Sequence, residues 1–101
     1  MGPAGFGLTA AIELAKDKAS PARAISAHML ADETSDDARE VLRQALYDKS
    51  WIVRAAASEA LGVRGTVSDV KALAPMLEDP EKKVRYRAAA AIIRVTSRRA
   101  S

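Results

Sequence analysis

At 101 residues, 49% hydrophobic and 29% charged with a formal net charge of +3, the chain has the size of one domain with a modest core and little stability to spare. It contains no cysteine, which excludes disulfides and thiolate chemistry, and no stretch approaches the ~18 consecutive apolar residues of a membrane span. Only four residues are aromatic, much of the apolar content is alanine, and nothing alternates apolar and polar over a strand's length. The expectation is an all-α fold of closely approaching helices.

Residues 1–7 are expected to be a flexible lead-in, the cut edge of a longer parent. Met1 to Ala11 has no basic n-region and Glu13 interrupts the apolar run, so no signal peptide is expected. A first helix is expected over Leu8 to Lys16, with Thr9 as cap and Ala11, Ile12, Leu14 and Ala15 available for burial. After a turn at Asp17, Ser20-Pro21 reads as N-cap plus proline at the first helical position. The second helix then runs to about Ala31, with Ala22, Ile25, Ser26, Met29 and Leu30 at helical spacing.

Ser35 or Asp36 can cap a third helix, and Asp36, Asp37 and Glu40 suit its positive N-terminal end. Val41, Leu42, Ala45 and Leu46 form its buried stripe. Asp48-Lys49-Ser50 turns the chain, Ser50 caps a fourth helix to Val63, and Gly62 and Gly65 bracket its end. Ser68 is expected to cap the fifth helix, with Val70, Leu73, Ala74, Met76 and Leu77 apolar and a kink at Pro75. Asp79-Pro80-Glu81 opens the sixth, whose inner face is Val84, Ala88, Ala91, Ile92 and Val95. Fraying is expected from Thr96, with residues 98–101 a disordered basic tail.

These six helices carry an internal repeat. Asp48, Val53-Arg54, Ala57-Ser58 and Ala60-Leu61-Gly62 recur thirty-one residues later as Asp79, Val84-Arg85, Ala88-Ala89 and Ala91-Ile92. They are present thirty-one residues earlier in weaker form, as Asp17, Ala22-Arg23, Ser26-Ala27 and Met29-Leu30. Three copies at one spacing define a repeat architecture. The Asp, Val-Arg and Ala-Leu-Gly pattern resembles the second helix of a HEAT repeat, in the short bacterial form also seen in phycobilin lyase-like proteins. The third copy departs from it with Ile93 in place of glycine, and the first with Ala31. The Trp-Leu-Gly-Tyr and Thr-Pro-Leu-His signatures of tetratricopeptide and ankyrin repeats are missing. The resemblance covers residues 8–97 and implies a right-handed α-α superhelix of three two-helix repeats, about 8–34, 35–65 and 66–97.

The recurring Asp and Arg have a physical rationale of their own. Asp17, Asp48 and Asp79 sit where a carboxylate can accept the free N–H groups that open a second helix. Arg23, Arg54 and Arg85 lie six residues on, nearly two turns along. Stacking can bring each arginine to its own or a neighbouring aspartate, giving a structural ladder whose bidentate geometry fixes the angle between repeats. The alternative is three unrelated surface pairs worth about 0–1 kcal/mol each.

No catalytic constellation accompanies this pattern. His28 is the only histidine and reads as an ordinary helix-surface residue, Asp36-Asp37 as helix-start charge, and no nucleophile elbow, P-loop or dinucleotide fingerprint occurs. No cofactor or metal is expected, and the chain reads as a non-enzyme.

Function is therefore expected on a surface. In HEAT-like solenoids the second helices line the concave, partner-binding face. On that resemblance the exposed candidates are Trp51, Ile52, Ala55 and Glu59, then Lys83, Tyr86, Arg87 and Arg94, with Ala24 and His28 in the first repeat. Trp51 reads equally as a hot spot or as cover for a neighbouring helix. Residues 1–70 carry 8 basic and 10 acidic side chains (−2), residues 71–101 carry 8 and 3 (+5). Such asymmetry marks either an anionic partner or a solvated end face. The function expected is a protein-interaction scaffold, the terminal part of a longer repeat or multidomain protein, with no membrane contact and the cytoplasm favoured. A nucleic-acid-binding module using the basic third repeat is the alternative, opposed by the acidic first two repeats.

Overall fold

The structure, a computed structural model, describes residues 3–100, with side chains described for 7–97. Its helices are α1 (Pro3–Leu14), α2 (Ser20–Leu30), α3 (Asp36–Ala45), α4 (Trp51–Arg64), α5 (Val67–Leu73) and α6 (Lys82–Ala100), with a 3-10 turn over Ala74–Glu78. Helices α2, α4 and α6 pack side by side as one layer, and α1, α3 and α5 with its 3-10 turn back them. The result is an α-α solenoid measuring 35 × 32 × 15 Å, the thin dimension being that of two helix layers.

Small residues set the inner layer. Ala57, Ala60, Ala88 and Ala91 are at most 3% exposed, the last two on the inner face expected for the sixth helix. Around them lie Leu30, Leu42, Leu46, Val53, Leu61, Leu73, Val84 and Val95, each at most 1% exposed and worth roughly 1.5–3 kcal/mol of burial apiece. Helix α4 is the centre of the stack. It is covered on both flanks and buries eight of its residues, Ala55 and Ala56 included. Gly65 ends it in the left-handed conformation (φ 71°), donating its N–H to the Leu61 carbonyl.

Gly62, expected as a helix stop, is helical instead. A Cβ placed on it would lie 2.6 Å from Ala91 Cβ and 2.8 Å from Ala91 Cα, so its role is close approach of α4 to α6.

Several boundaries differ from expectation. Helix α1 starts at Pro3 rather than Leu8, so much of the expected lead-in is helical, while Met1 and Gly2 lie outside the described residues. Ala19, not Ser20, caps α2, and Pro80 lies ahead of α6 rather than in its first turn. Ser35 does cap α3, accepting the Ala38 N–H at 3.1 Å. Ser50 precedes α4 without a side-chain cap bond. Thr66 rather than Ser68 precedes α5, and at Pro75, which has no N–H to give, the α-helix tightens into the 3-10 turn. Helix α6 does not fray at Thr96 but runs to Ala100, with Thr96 Oγ1 donating to the Ile92 carbonyl. The side chains of Arg98, Arg99 and Ala100, and all of Ser101, lie outside the description.

On α2 the expected stripe is half wrong. Ala24, Ser26, Ala27 and Leu30 are buried, whereas Ile25 (52%) and Met29 (38%) face outward. They lie on the flank of α2 away from α4, with no further helix to cover them among the described residues.

Candidate functional site

The turns before α2, α4 and α6 share one construction. Asp17, Asp48 and Asp79 accept, through Oδ1, the backbone N–H two residues on: Ala19 (2.8 Å), Ser50 (2.9 Å) and Glu81 (2.9 Å). This local side-chain-to-backbone bond shapes the turn and leaves the rest of each carboxylate for another donor. The donor comes from the preceding second helix. Arg23 forks onto Asp48 (Nε–Oδ2 2.8 Å, Nη2–Oδ1 2.9 Å), and Arg54 onto Asp79 (2.7 and 3.1 Å). The third nitrogen, Nη1, turns back to the chain's own turn. Arg23 donates to the Asp17 and Lys18 carbonyls, Arg54 to Asp48, and Arg85 to Asp79 and Pro80. Each bonded arginine thus ties the turn behind it to the aspartate ahead of it.

Burial gives these pairs weight that surface pairs lack. The side chains of Arg54 and Asp79 are 17% and 5% exposed, those of Arg23 and Asp48 11% and 15%. The fork from Arg23 holds the Asp48 carboxyl below its ordinary range, and the same bond raises Arg23. Burial pushes Asp79 up, but the Arg54 bond and the Glu81 N–H outweigh it and leave the carboxyl lowered. Both groups are depressed in the folded state, so their contribution is present above the unfolded aspartate pKa of about 4 and is lost as pH falls through the lower folded values. The domain should therefore melt at progressively lower temperature below about pH 4. In Asp48→Asn/Asp79→Asn that acid-limb slope should be shallower, measured by circular dichroism.

A second polar joint was not visible in the sequence. Asp69 on α5 is fully buried, takes a hydrogen bond from Thr66 Oγ1, and lies 3.8 Å from Arg39 Nε and 3.7 Å from Arg43 Nη2. Arg64 is also partly enclosed; burial, then the like charge of Arg39, lowers its pKa. Thr66 and Asp69 stand at the spacing of a capping box, which is the signal that could have found them.

The expected binding residues lie on the outer surface of α4 and α6. Trp51 (36% exposed), Lys83, Tyr86 (64%) and Arg87 line one open groove of about 450 Å³, floored by Ala55. Lys83 Nζ stands 5.0 Å from the Trp51 ring centroid, a cation–π distance. A shallower depression of about 160 Å³ continues over Trp51, Ile52, Glu59 and Arg87 to His28. Between them Arg87 Nη1 meets Glu59 Oε1 at 2.7 Å. Arg94 is exposed on α6 but lines neither hollow. Ala24 and Ala55, expected to be exposed, are 7% and 8% exposed, because the neighbouring second helix covers them. His28 is exposed with no metal cluster about it: among the described residues no group of three or more histidines, cysteines or acids is placed to hold an ion. Nor is any described helix long and apolar enough to cross a membrane.

Residues 8–93 match the family described as HEAT repeats. No curated protein matches the chain.

Proposed function

The chain belongs to the HEAT-repeat family, whose members generally act as protein-interaction scaffolds, and we propose that it is a non-catalytic scaffold holding a protein segment in the α4–α6 groove. The observation carrying this reading is the groove itself. A tryptophan, a tyrosine and two cations are left accessible on a rigid, alanine-packed base, the composition in which binding hot spots concentrate. The groove suits a segment with an aromatic or aliphatic anchor flanked by acidic residues. Nucleic acid is a poorer fit, because two cations beside the Glu59 carboxylate, on a chain whose residues 1–70 sum to −2, make no continuous basic track for a phosphate backbone.

Trp51 is the only tryptophan, so its fluorescence reports on this face. Titration with an acidic peptide selected by display against the domain should shift that emission. Tyr86→Ser/Arg87→Ser should weaken binding at least about tenfold while the helical circular dichroism is retained. Peptide affinity unchanged in the double variant would refute the groove. Tight, steeply salt-dependent binding of duplex DNA without peptide binding would favour the nucleic-acid reading.

A further inference from the structure

The interface between neighbouring second helices is built twice inside the molecule, and its two halves are left over at opposite ends of the stack. At one end is Arg85. Its Nη1 is engaged by the Asp79 and Pro80 carbonyls, as Arg23 Nη1 is by Asp17 and Lys18. Among the described residues, however, no acceptor meets the Nε and Nη2 fork that Arg23 and Arg54 use to hold the next aspartate. The surface beside it has lost its cover in the same register. Where Gly62 lies buried against Ala91, Ile93, thirty-one residues on, is 63% exposed.

At the other end is Asp17. Its carboxylate accepts the Ala19 N–H but, unlike Asp48 and Asp79, has no arginine fork among the described residues. Ile25 (52%) and Met29 (38%) are exposed where their counterparts Ala56 and Ala60 are 5% and 1%. One end thus has a fork without a carboxylate, and the other a carboxylate without a fork. Each has large apolar side chains beside it.

We propose that this chain associates head-to-tail with a second copy of itself, the Arg85 fork of one copy closing on the Asp17 carboxylate of the next, and Ile93 meeting the Ile25–Met29 flank. The larger side chains at these ends require wider helix spacing than at Gly62, still within the ~8–10 Å of ordinary helix pairs. The fork supplies direction and register, because a planar guanidinium meets a carboxylate in one orientation. The contact is heterologous: each copy uses two different surfaces, so association continues beyond a dimer unless it closes into a ring. Tyr86, the counterpart of the covered Ala24 and Ala55, would lie against the next copy, but Asp17 and Arg85, the residues varied in the test, do not line the α4–α6 groove, so either proposal can fail alone.

Sedimentation of the full chain over micromolar to millimolar concentration tests this. The average mass should rise with concentration and fall with added salt. Asp17→Asn keeps the acceptor for the Ala19 N–H and removes the charge, while Arg85→Ala removes the fork. Each should weaken association at least about tenfold. If Arg85→Ala loses its helical signal, Arg85→Lys replaces it, keeping the charge but not the fork. The two single variants mixed should recover association, limited to dimers, because each retains the end the other lacks. A wild-type chain that stays monomeric throughout, a variant that associates as wild type does, or a mixture that stays monomeric would overturn the proposal.

Discussion

Arg54→Ala should be the most damaging single change on the polar framework, lowering stability by about 2–4 kcal/mol. The loss exceeds that of an exposed pair because Asp79 is 7% exposed and would keep its charge with its forked partner gone. The Nη1 bond to the Asp48 carbonyl goes with it, loosening the turn behind α4 as well. For a domain of this size each kcal/mol corresponds to roughly 4–8 °C in Tm, so thermal melts resolve the effect easily. Lys49→Ala, on an exposed turn residue, is the control and should stay within about 0.5 kcal/mol. Arg64 is no such control, because its guanidinium is partly enclosed and donates to the Ser35 carbonyl.

Gly62→Val should be comparably severe for the opposite reason, an excess of atoms. Even one added carbon would fall 2.8 Å from Ala91 Cα, and backbone cannot rotate aside as a side-chain tip can. Gly62→Ala sets about 1 kcal/mol of gained helix propensity against an overpacking cost of roughly 1–3 kcal/mol, and should be destabilising on balance. Valine adds two methyls and a stiff χ1, so its cost should reach about 3 kcal/mol. Ala91→Gly in the Gly62→Ala background should recover part of the loss, since it removes the Cβ that is struck. No recovery, or a Gly62→Ala chain that melts higher than wild type, would show that α4 and α6 are not held at this separation.

The thirty-one-residue register made the architecture legible, because burial in a stacked array is set by position within the unit. Ala57, Ala60, Ala88 and Ala91 are buried as that register requires. The same register misleads wherever ends differ from middle. Ile25 and Ala56 are equivalent in the repeat, yet one is 52% and the other 5% exposed, because among the described residues α4 has a second helix on each flank and α2 on only one. Ala24 and Ala55 were misplaced by the converse error, since a helix's outer face narrows when neighbours close over its edges.

The aspartates and arginines were visible as a recurrence, but not which aspartate each arginine reaches. That depends on the rise from one helix to the next, a quantity no single repeat contains. Gly62 looked like a stop because glycine both ends helices and lets them touch, and only the position of Ala91 distinguishes the two. Asp69 was hidden for another reason: its spacing from Thr66 marks a helix start, but the cations beside it, Arg39 and Arg43, come from α3, so the local sequence does not predict its burial. In the candidate groove, the sequence supplied Trp51, Lys83, Tyr86 and Arg87. The structure added their convergence over Ala55.

A double-mutant cycle tests most directly whether the stack is joined forward, from arginine to the following aspartate. Arg54→Ala and Asp79→Ala are made singly and together, alongside the same cycle for Arg54 and Asp48. The geometry predicts a coupling of about 1.5 kcal/mol or more between Arg54 and Asp79, and close to zero between Arg54 and the Asp48 side chain, whose residue offers Arg54 only its backbone carbonyl. Coupling that is absent from the first pair, or larger in the second, would contradict it.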